Sequence, residues 1–368
     1  MSQRAALGYC KRSATAWAIL VPQIGRASGA TTQVTENLLD IHWWHWCLFI
    51  AAVVVGLFLD LVVFHRKEHA PSIRESAAWS VFWVGLALLF NAYVWWWGYR
   101  LHGTSEAGVK FLTAYVVEKS LSVDNLFVFA VIFRYFGVHI RYQHRILFWG
   151  ILGAIVTRGL FIIAGVELIR AFEWLSAVFG VFLCYTGAKL AFASGEEVHP
   201  EKNIVLRLAR RIMRITPEIR YDRFLVRRER LLYVTPAFLV LLVVESTDVL
   251  FAVDSIPAVL GISRDPFIVY SSNIGAILGL RALYFLLAGV LERFRYLHYG
   301  LAIVLVFIGL KMVAEYVAVT FAHHHGHLID PWVSLGIVGG ILGASLLPTW
   351  FAKQGPKSGG VDGEAREE

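Results

Sequence analysis

Nine stretches of this chain stay apolar for about 20 residues, the length a helix needs to cross hydrocarbon, and nothing else in the sequence constrains the fold as strongly. They fall at roughly 43–64, 77–99, 111–133, 146–166, 172–193, 232–256, 267–291, 297–319 and 331–351. Within a bilayer the backbone must satisfy its own hydrogen bonds, so runs of this kind fold as helices. The expected class is therefore all-α: a polytopic membrane protein of about nine transmembrane helices. Composition agrees, with 57% hydrophobic and only 17% charged residues, against about 25% charged in soluble domains. One soluble core could not hide so many helices that are apolar all round.

The net charge of +7 would suggest nucleic acid in a soluble protein. Here the basic residues collect in the links between apolar runs, so the expected partner is the lipid bilayer, with no role for nucleic acid. Arg66, Lys67 and Arg74 lie in one link, Arg134, Arg141 and Arg145 in another, and ten Lys and Arg lie between Lys202 and Arg230. The alternate links are poor in both. Such alternation places the rich links in the cytoplasm and the amino terminus outside.

The chain divides accordingly. Residues 1–42 form an extension, read as a cleaved leader, as a disordered segment or as the product of a misassigned start codon. Residues 43–110 hold two additional helices. A first three-helix unit (111–193), a basic cytoplasmic loop (194–231) and a second three-helix unit (232–319) follow. Residues 320–351 carry a histidine-rich outer loop and a ninth helix, and 352–368 read as a disordered cytoplasmic tail.

The two three-helix units resemble each other. Ser122-Val-Asp124-Asn125-Leu-Phe matches Ser246-Thr-Asp248-Val-Leu-Phe, Arg158 matches Arg281, and Gly187-Ala-Lys189 matches Gly309-Leu-Lys311. The offset drifts only from 124 to 122 residues across three helices. With three spans in each unit, the second copy must enter the membrane from the opposite side. Inverted repeats of this kind place a transporter's substrate at the midplane between the copies.

Charged residues recur where they are most costly. Glu118 and Asp124 fall in the third span, Glu245, Asp248 and Asp254 in the sixth, and Asp60 late in the first. On insertion scales a central charge costs about 2.5–3.5 kcal/mol, so five carboxylates in the two leading helices would cost on the order of 10–15 kcal/mol unpaired. Lys119, Arg158, Lys189, Arg281 and Lys311 are available as partners, the last four as supporting charge in symmetric pairs. If these cations leave oxygens free, Glu118, Asp124, Asn125, Glu245, Asp248 and Asp254 form a candidate metal site, with Asn273 as a further amide ligand. In ideal helices Asp124 and Asp254 do not share the faces of the others, so convergence requires local unwinding. Pro257 cannot donate to Val253 and predicts a break near Asp254. Carboxylate, amide, hydroxyl and carbonyl oxygens suit Mn²⁺, Mg²⁺ or Ca²⁺ better than copper.

Other signals are weaker. Cys10, Cys47 and Cys184 share no metal-binding spacing. The run His323-His324-His325-Gly326-His327 reads as a solvated polar loop, with a metal relay at the exit as the alternative. Walker, GxSxG and HExxH patterns are absent from the sequence, so no enzymatic activity is expected.

The acidic stretches, Glu118-Lys-Ser-Leu-Ser-Val-Asp124-Asn125-Leu-Phe and Glu245-Ser-Thr-Asp248-Val-Leu-Phe-Ala-Val-Asp254-Ser-Ile-Pro257, resemble those of the TerC family, which includes Alx-type manganese exporters and is related to LysE-type transporters. Asp60, Arg158, Arg281 and the two Gly-x-Lys elements also resemble family positions. The likeness covers about residues 43–350. It implies a multi-pass protein of the bacterial inner membrane that exports a divalent cation, Mn²⁺ first and Ca²⁺ second, in exchange for protons. The family is named for tellurium resistance, and the competing expectation is a non-transporting membrane scaffold for stress response or insertion assistance. The exact metal, the coupling ion and homo-oligomerisation are left open by the sequence.

Overall fold

The computed structural model describes residues 39, 41–65, 72–192, 203–216, 223–228, 231–287, 297–322 and 328–351. Most of the 1–42 extension, parts of the basic loop, the run His323–His327 and the tail after 351 lie outside the described residues, and so do the expectations attached to them. Helices dominate the rest: α1 (Trp43–His65), α2 (Ile73–His102), α3 (Glu106–Tyr135), α4 (Ile140–Ala171), α5 (Leu175–Phe192), α6 (Ile204–Ile212), α7 (Pro236–Leu260), α8 (Pro266–Ile277), α9 (Leu280–Leu287), α10 (Leu297–Ala322) and α11 (Pro331–Phe351). A short antiparallel hairpin, β1 (Leu225–Arg228) and β2 (Leu231–Val234), precedes α7.

The chain is a polytopic all-α membrane protein. Among the described residues, seven segments are long and apolar enough to cross a membrane: α1, α2, α4, α5, α7, α8 with α9, and α10. Helix α11 is apolar but shorter in its described part. Helix α3 has the length, at 30 residues, but Lys110, Glu118, Lys119 and Asp124 fall on it and set it apart. It packs against α2, α7, α8, α10 and α11, so neighbouring helices rather than lipid take up its polar faces.

Local chemistry sets the helix ends. At α2, Ser72 accepts from the Glu75 amide and Glu75 lies in the first turn, the pattern of a capping box. The carboxylate of Asp265 accepts from the amides of Phe267 and Ile268 at the start of α8, and Pro266 takes the first helical position, where its missing N–H costs nothing.

Two expectations change. Helix α7 is unbroken from Pro236 to Leu260 with Pro257 inside it, so there is no unwinding at Asp254. Pro257 sits in the last turn, where only one helical bond is lost. The discontinuity lies instead in the seventh predicted span. Helix α8 ends at Ile277, and Gly279 turns the chain at φ +80° before α9 begins. That left-handed conformation favours glycine, and a Cβ there would also run into the side chain of Trp83. The carbonyl of Ala276, which a continuous helix would pair with the amide of Leu280, instead accepts from Nζ of Lys119 at 3.0 Å.

Helices α5 and α10 approach closely through small residues. A Cβ on Gly180 would meet the carbonyl oxygen of Gly309, and one on Gly187 would meet that of Ala302, each at 2.7 Å. Between these contacts the Cys184 thiol lies 3.8 Å from the Val306 carbonyl oxygen. Moving forward along α5 moves the contact backward along α10, so the two helices run antiparallel. Close backbone approach through glycine is the usual basis of helix association within membranes.

Candidate functional site

Three helices converge on one guanidinium. Arg158, midway along α4, is fully buried. Its Nη2 donates to Oδ1 of Asp248 at 3.1 Å and its Nε to Oδ2 at 3.3 Å. This is the bidentate fork that arginine makes with a carboxylate. Its Nη1 donates to Oε1 of Glu118 on α3, and lies 3.4 Å from both Ser255 Oγ on α7 and Asn273 Oδ1 on α8. Every member of this cluster is buried.

The spacing on each helix explains who takes part. On α3 the residues Tyr115, Glu118, Ser122 and Asn125 recur at three- and four-residue steps and are all buried, which puts them on one face. On α7, Asp248 and Ser255 are seven residues apart and likewise share a face. The stripe on α3 is polar at four successive positions, which a purely structural interior face would not require.

Charge and hydrogen bonds are incompletely balanced. Two carboxylates face one guanidinium, so the ionised cluster carries a net negative charge. Glu118 Oε2, Asn273 Nδ2 and Ser122 Oγ are buried and have no hydrogen-bond partner among the described residues. Buried polar atoms are nearly always paired, so each such exception calls for an explanation. Chemically, the arrangement offers carboxylate, hydroxyl and amide oxygens in a dry setting, a donor set for hard cations.

The remaining predicted residues are placed around this cluster rather than in it. Glu245 is half-buried one turn before Asp248 and sits against α4 at Gly153, where even a methyl group would overlap its carboxylate. Asp124 is half-buried on α3. Asp254 is half-buried on α7 within Coulomb reach of Lys189 on α5. Among the described residues, no three of His, Cys, Asp and Glu come together as a metal-holding group. The expectation that all five carboxylates converge through unwound helices is therefore corrected. With α3 and α7 regular, Asp124 and Asp254 stay on other faces, and Glu118 and Asp248 are the pair that meet.

The supporting cations are also distributed unevenly. Arg281 on α9 does not mirror Arg158. It binds Asp60 on α1, 2.6 Å from the carboxylate and 2.7 Å from the backbone carbonyl. Lys311 lies 3.8 Å from Glu315 one turn along α10. Asn273 joins the cluster through Arg158, in addition to any role as a ligand. Lys119, expected as a partner for the acids, instead serves the Ala276 carbonyl, and Ser255 was not singled out by sequence reasoning. The available signal for Ser255 was its seven-residue spacing from Asp248.

Comparison with known proteins follows the same lines. The sequence profile of the integral membrane protein TerC family matches residues 103–357. A relative from Escherichia coli (strain K12), named "Putative membrane-bound redox modulator Alx", is 48% identical over 301 residues, covering 81% of this chain and 91% of the relative. An uncharacterised membrane protein of Myxococcus xanthus is 47% identical over 303 residues, covering 82% and 90%. One from Rickettsia bellii is 39% identical over 292 residues, covering 79% and 92%. No solved structure matches.

Proposed function

The chain belongs to the TerC family of integral membrane proteins, and on that footing we propose that it exports a divalent cation across the bacterial inner membrane. Mn²⁺ is the leading substrate, with Ca²⁺ as the alternative. Glu118 and Asp248 form the heart of the ion site, and Asn125, Asn273, Ser122 and Ser255 supply neutral oxygens nearby. Asp124, Glu245 and Asp254 line the approaches to it on either side.

The observation that carries this reading is the imbalance at Arg158. One buried guanidinium serves two buried carboxylates, and Oε2 of Glu118 has no partner among the described residues. An arriving cation would supply the missing positive charge and satisfy that oxygen together. When the ion leaves, a proton can replace it on the same carboxylates, so metal and proton compete for one site. That competition is the chemical basis for exchange.

The bidentate bond between Arg158 and Asp248 also favours a second reading, in which the cluster is a structural clasp between α4 and α7 within a non-transporting scaffold. The redox wording of the relatives' name adds a third possibility to weigh. Among the described residues Cys47 and Cys184 are free thiols on separate helices, α1 and α5, so no thiol pair there supports it.

Purified protein in proteoliposomes, tested for uptake across a panel of Mn²⁺, Mg²⁺, Ca²⁺ and Zn²⁺, separates the readings. Export predicts saturable Mn²⁺ flux that Glu118→Gln abolishes while the protein stays folded. A scaffold predicts no flux for any ion.

A further inference from the structure

The short helix α6 has three differently composed faces, and the transport reading uses none of them. At about 100° per residue, Leu206, Ala209 and Met213 fall on one side, and Leu206 and Ala209 are buried. A second side carries Ile204, Leu208 and Ile212, which remain 78%, 54% and 69% exposed. The third carries Arg207, Arg210 and Arg211, all exposed. The helix contains no acidic residue.

Its position is fixed at one end by α7 and at the other by β2, the strand that leads into α7. Asn203 caps α6 through the Leu206 amide, and its Nδ2 donates to Ser246 Oγ at 2.9 Å. Beyond the other end, the amide of Val234 donates to the Arg214 carbonyl at 2.8 Å, and Thr216 donates back to Val234 at 3.0 Å. Helix α6 therefore lies antiparallel to the first half of α7, a helix apolar and long enough to cross a membrane. An apolar stripe held beside such a helix has lipid within reach.

We propose that α6 is a lipid-binding element, in which Arg207, Arg210 and Arg211 hold the phosphate groups of anionic phospholipids while Ile204, Leu208 and Ile212 enter the acyl region. Complementarity of charge and apolarity selects this occupant. A soluble anion would leave the apolar stripe in water, and a zwitterionic lipid would leave the arginine charge unbalanced. The division into a basic and an apolar side is the composition of helices that lie at the membrane interface, and arginine stems can run along apolar surface while their heads reach phosphate. Basic residues near an anionic leaflet contribute about fivefold each in affinity, screened by salt.

The test uses the full chain in vesicles of phosphatidylcholine with phosphatidylglycerol. Nitroxide labels are placed through Leu208→Cys and Arg210→Cys in a background with the native cysteines replaced. The label at 208 should be accessible to oxygen and shielded from a water-soluble nickel complex, and the label at 210 the reverse. After solubilisation from the same vesicles, mass spectrometry of retained lipid should show phosphatidylglycerol enriched on the wild type. That enrichment should fall severalfold in Arg207→Gln/Arg210→Gln/Arg211→Gln and persist in the matching lysine variant, which also controls for folding. A water-exposed label at 208, spin–spin broadening there from a second copy, or unchanged enrichment in the glutamine variant would each overturn the proposal.

Discussion

The ammonium of Lys119 on α3 lies 3.0 Å from the carbonyl oxygen of Ala276, at the point where the chain breaks between α8 and α9. The bond replaces the helical partner lost at Gly279 and ties the break to the helix that carries Glu118. An orphaned carbonyl in a low-dielectric interior costs about 1–3 kcal/mol. Lys119→Met should therefore lower the unfolding temperature of the detergent-solubilised protein by several degrees. Lys119→Arg, which keeps a donor and a charge, should recover part of the loss. Equal stability of the Met variant and wild type would mean that another group or water serves the break.

Packing between α5 and α10 leads to a steric prediction with an internal control. A Cβ at Gly180 or Gly187 meets backbone oxygen at 2.7 Å, and backbone yields less readily than a side chain. Gly180→Ala and Gly187→Ala should each destabilise by about 1–3 kcal/mol, the usual range for overpacking. Gly339 and Gly340 on α11 have open space in the Cβ direction, and alanine is the better helix former by about 1 kcal/mol. Gly339→Ala should thus be neutral or slightly stabilising. Thermal scans of the three variants in one detergent check the ordering.

Much of this architecture was legible because apolar length is a property of sequence alone, and the α1, α2, α4 and α5 segments fall where hydropathy put them. The break was misplaced for a physical reason. Pro257 is a strong local signal, yet a proline in the final turn disturbs little. Gly279 is a weak local signal, and its left-handed turn depends on the neighbouring Trp83 and on Lys119, which are distant in sequence. Glu118 and Asp248 stood out as buried acids, and Arg158 as a rare buried cation. That Arg158 would take both acids while Arg281 turned to Asp60 depends on which helices touch. Equal spacing in the two units could not reveal that difference.

Exchange of metal for protons makes a signed prediction about pH. Protonated carboxylates do not hold a metal ion, so Mn²⁺ uptake into vesicles should weaken as the pH on the binding side falls. The change should be in apparent affinity, since protons and metal compete for the same oxygens. An outwardly directed proton gradient should in turn drive Mn²⁺ into the vesicles. Flux that depends on membrane voltage but is indifferent to pH would reject proton exchange while leaving metal transport intact.

Charge balance at Arg158 gives the sharpest distinction between a site and a clasp. Arg158→Gln leaves Glu118 and Asp248 facing each other without a cation, and removing one partner of a buried ion pair costs about 3–5 kcal/mol. The single variant should be poorly stable. Adding Mn²⁺ should raise its unfolding temperature more than it raises that of the wild type, because the metal takes over the role of the guanidinium. Glu118→Gln, which removes the surplus negative charge, should fold at least as well as wild type yet lose the stabilisation by Mn²⁺. The double variant Glu118→Gln/Arg158→Gln, which still leaves Asp248 without a cation, should recover part of the stability without recovering the metal response. A simple clasp predicts the opposite pattern for Glu118→Gln: lowered stability, because a bond to Arg158 is weakened, and no metal-dependent shift in any variant. Thermal unfolding of the four proteins with and without Mn²⁺ therefore reads the two roles from one measurement.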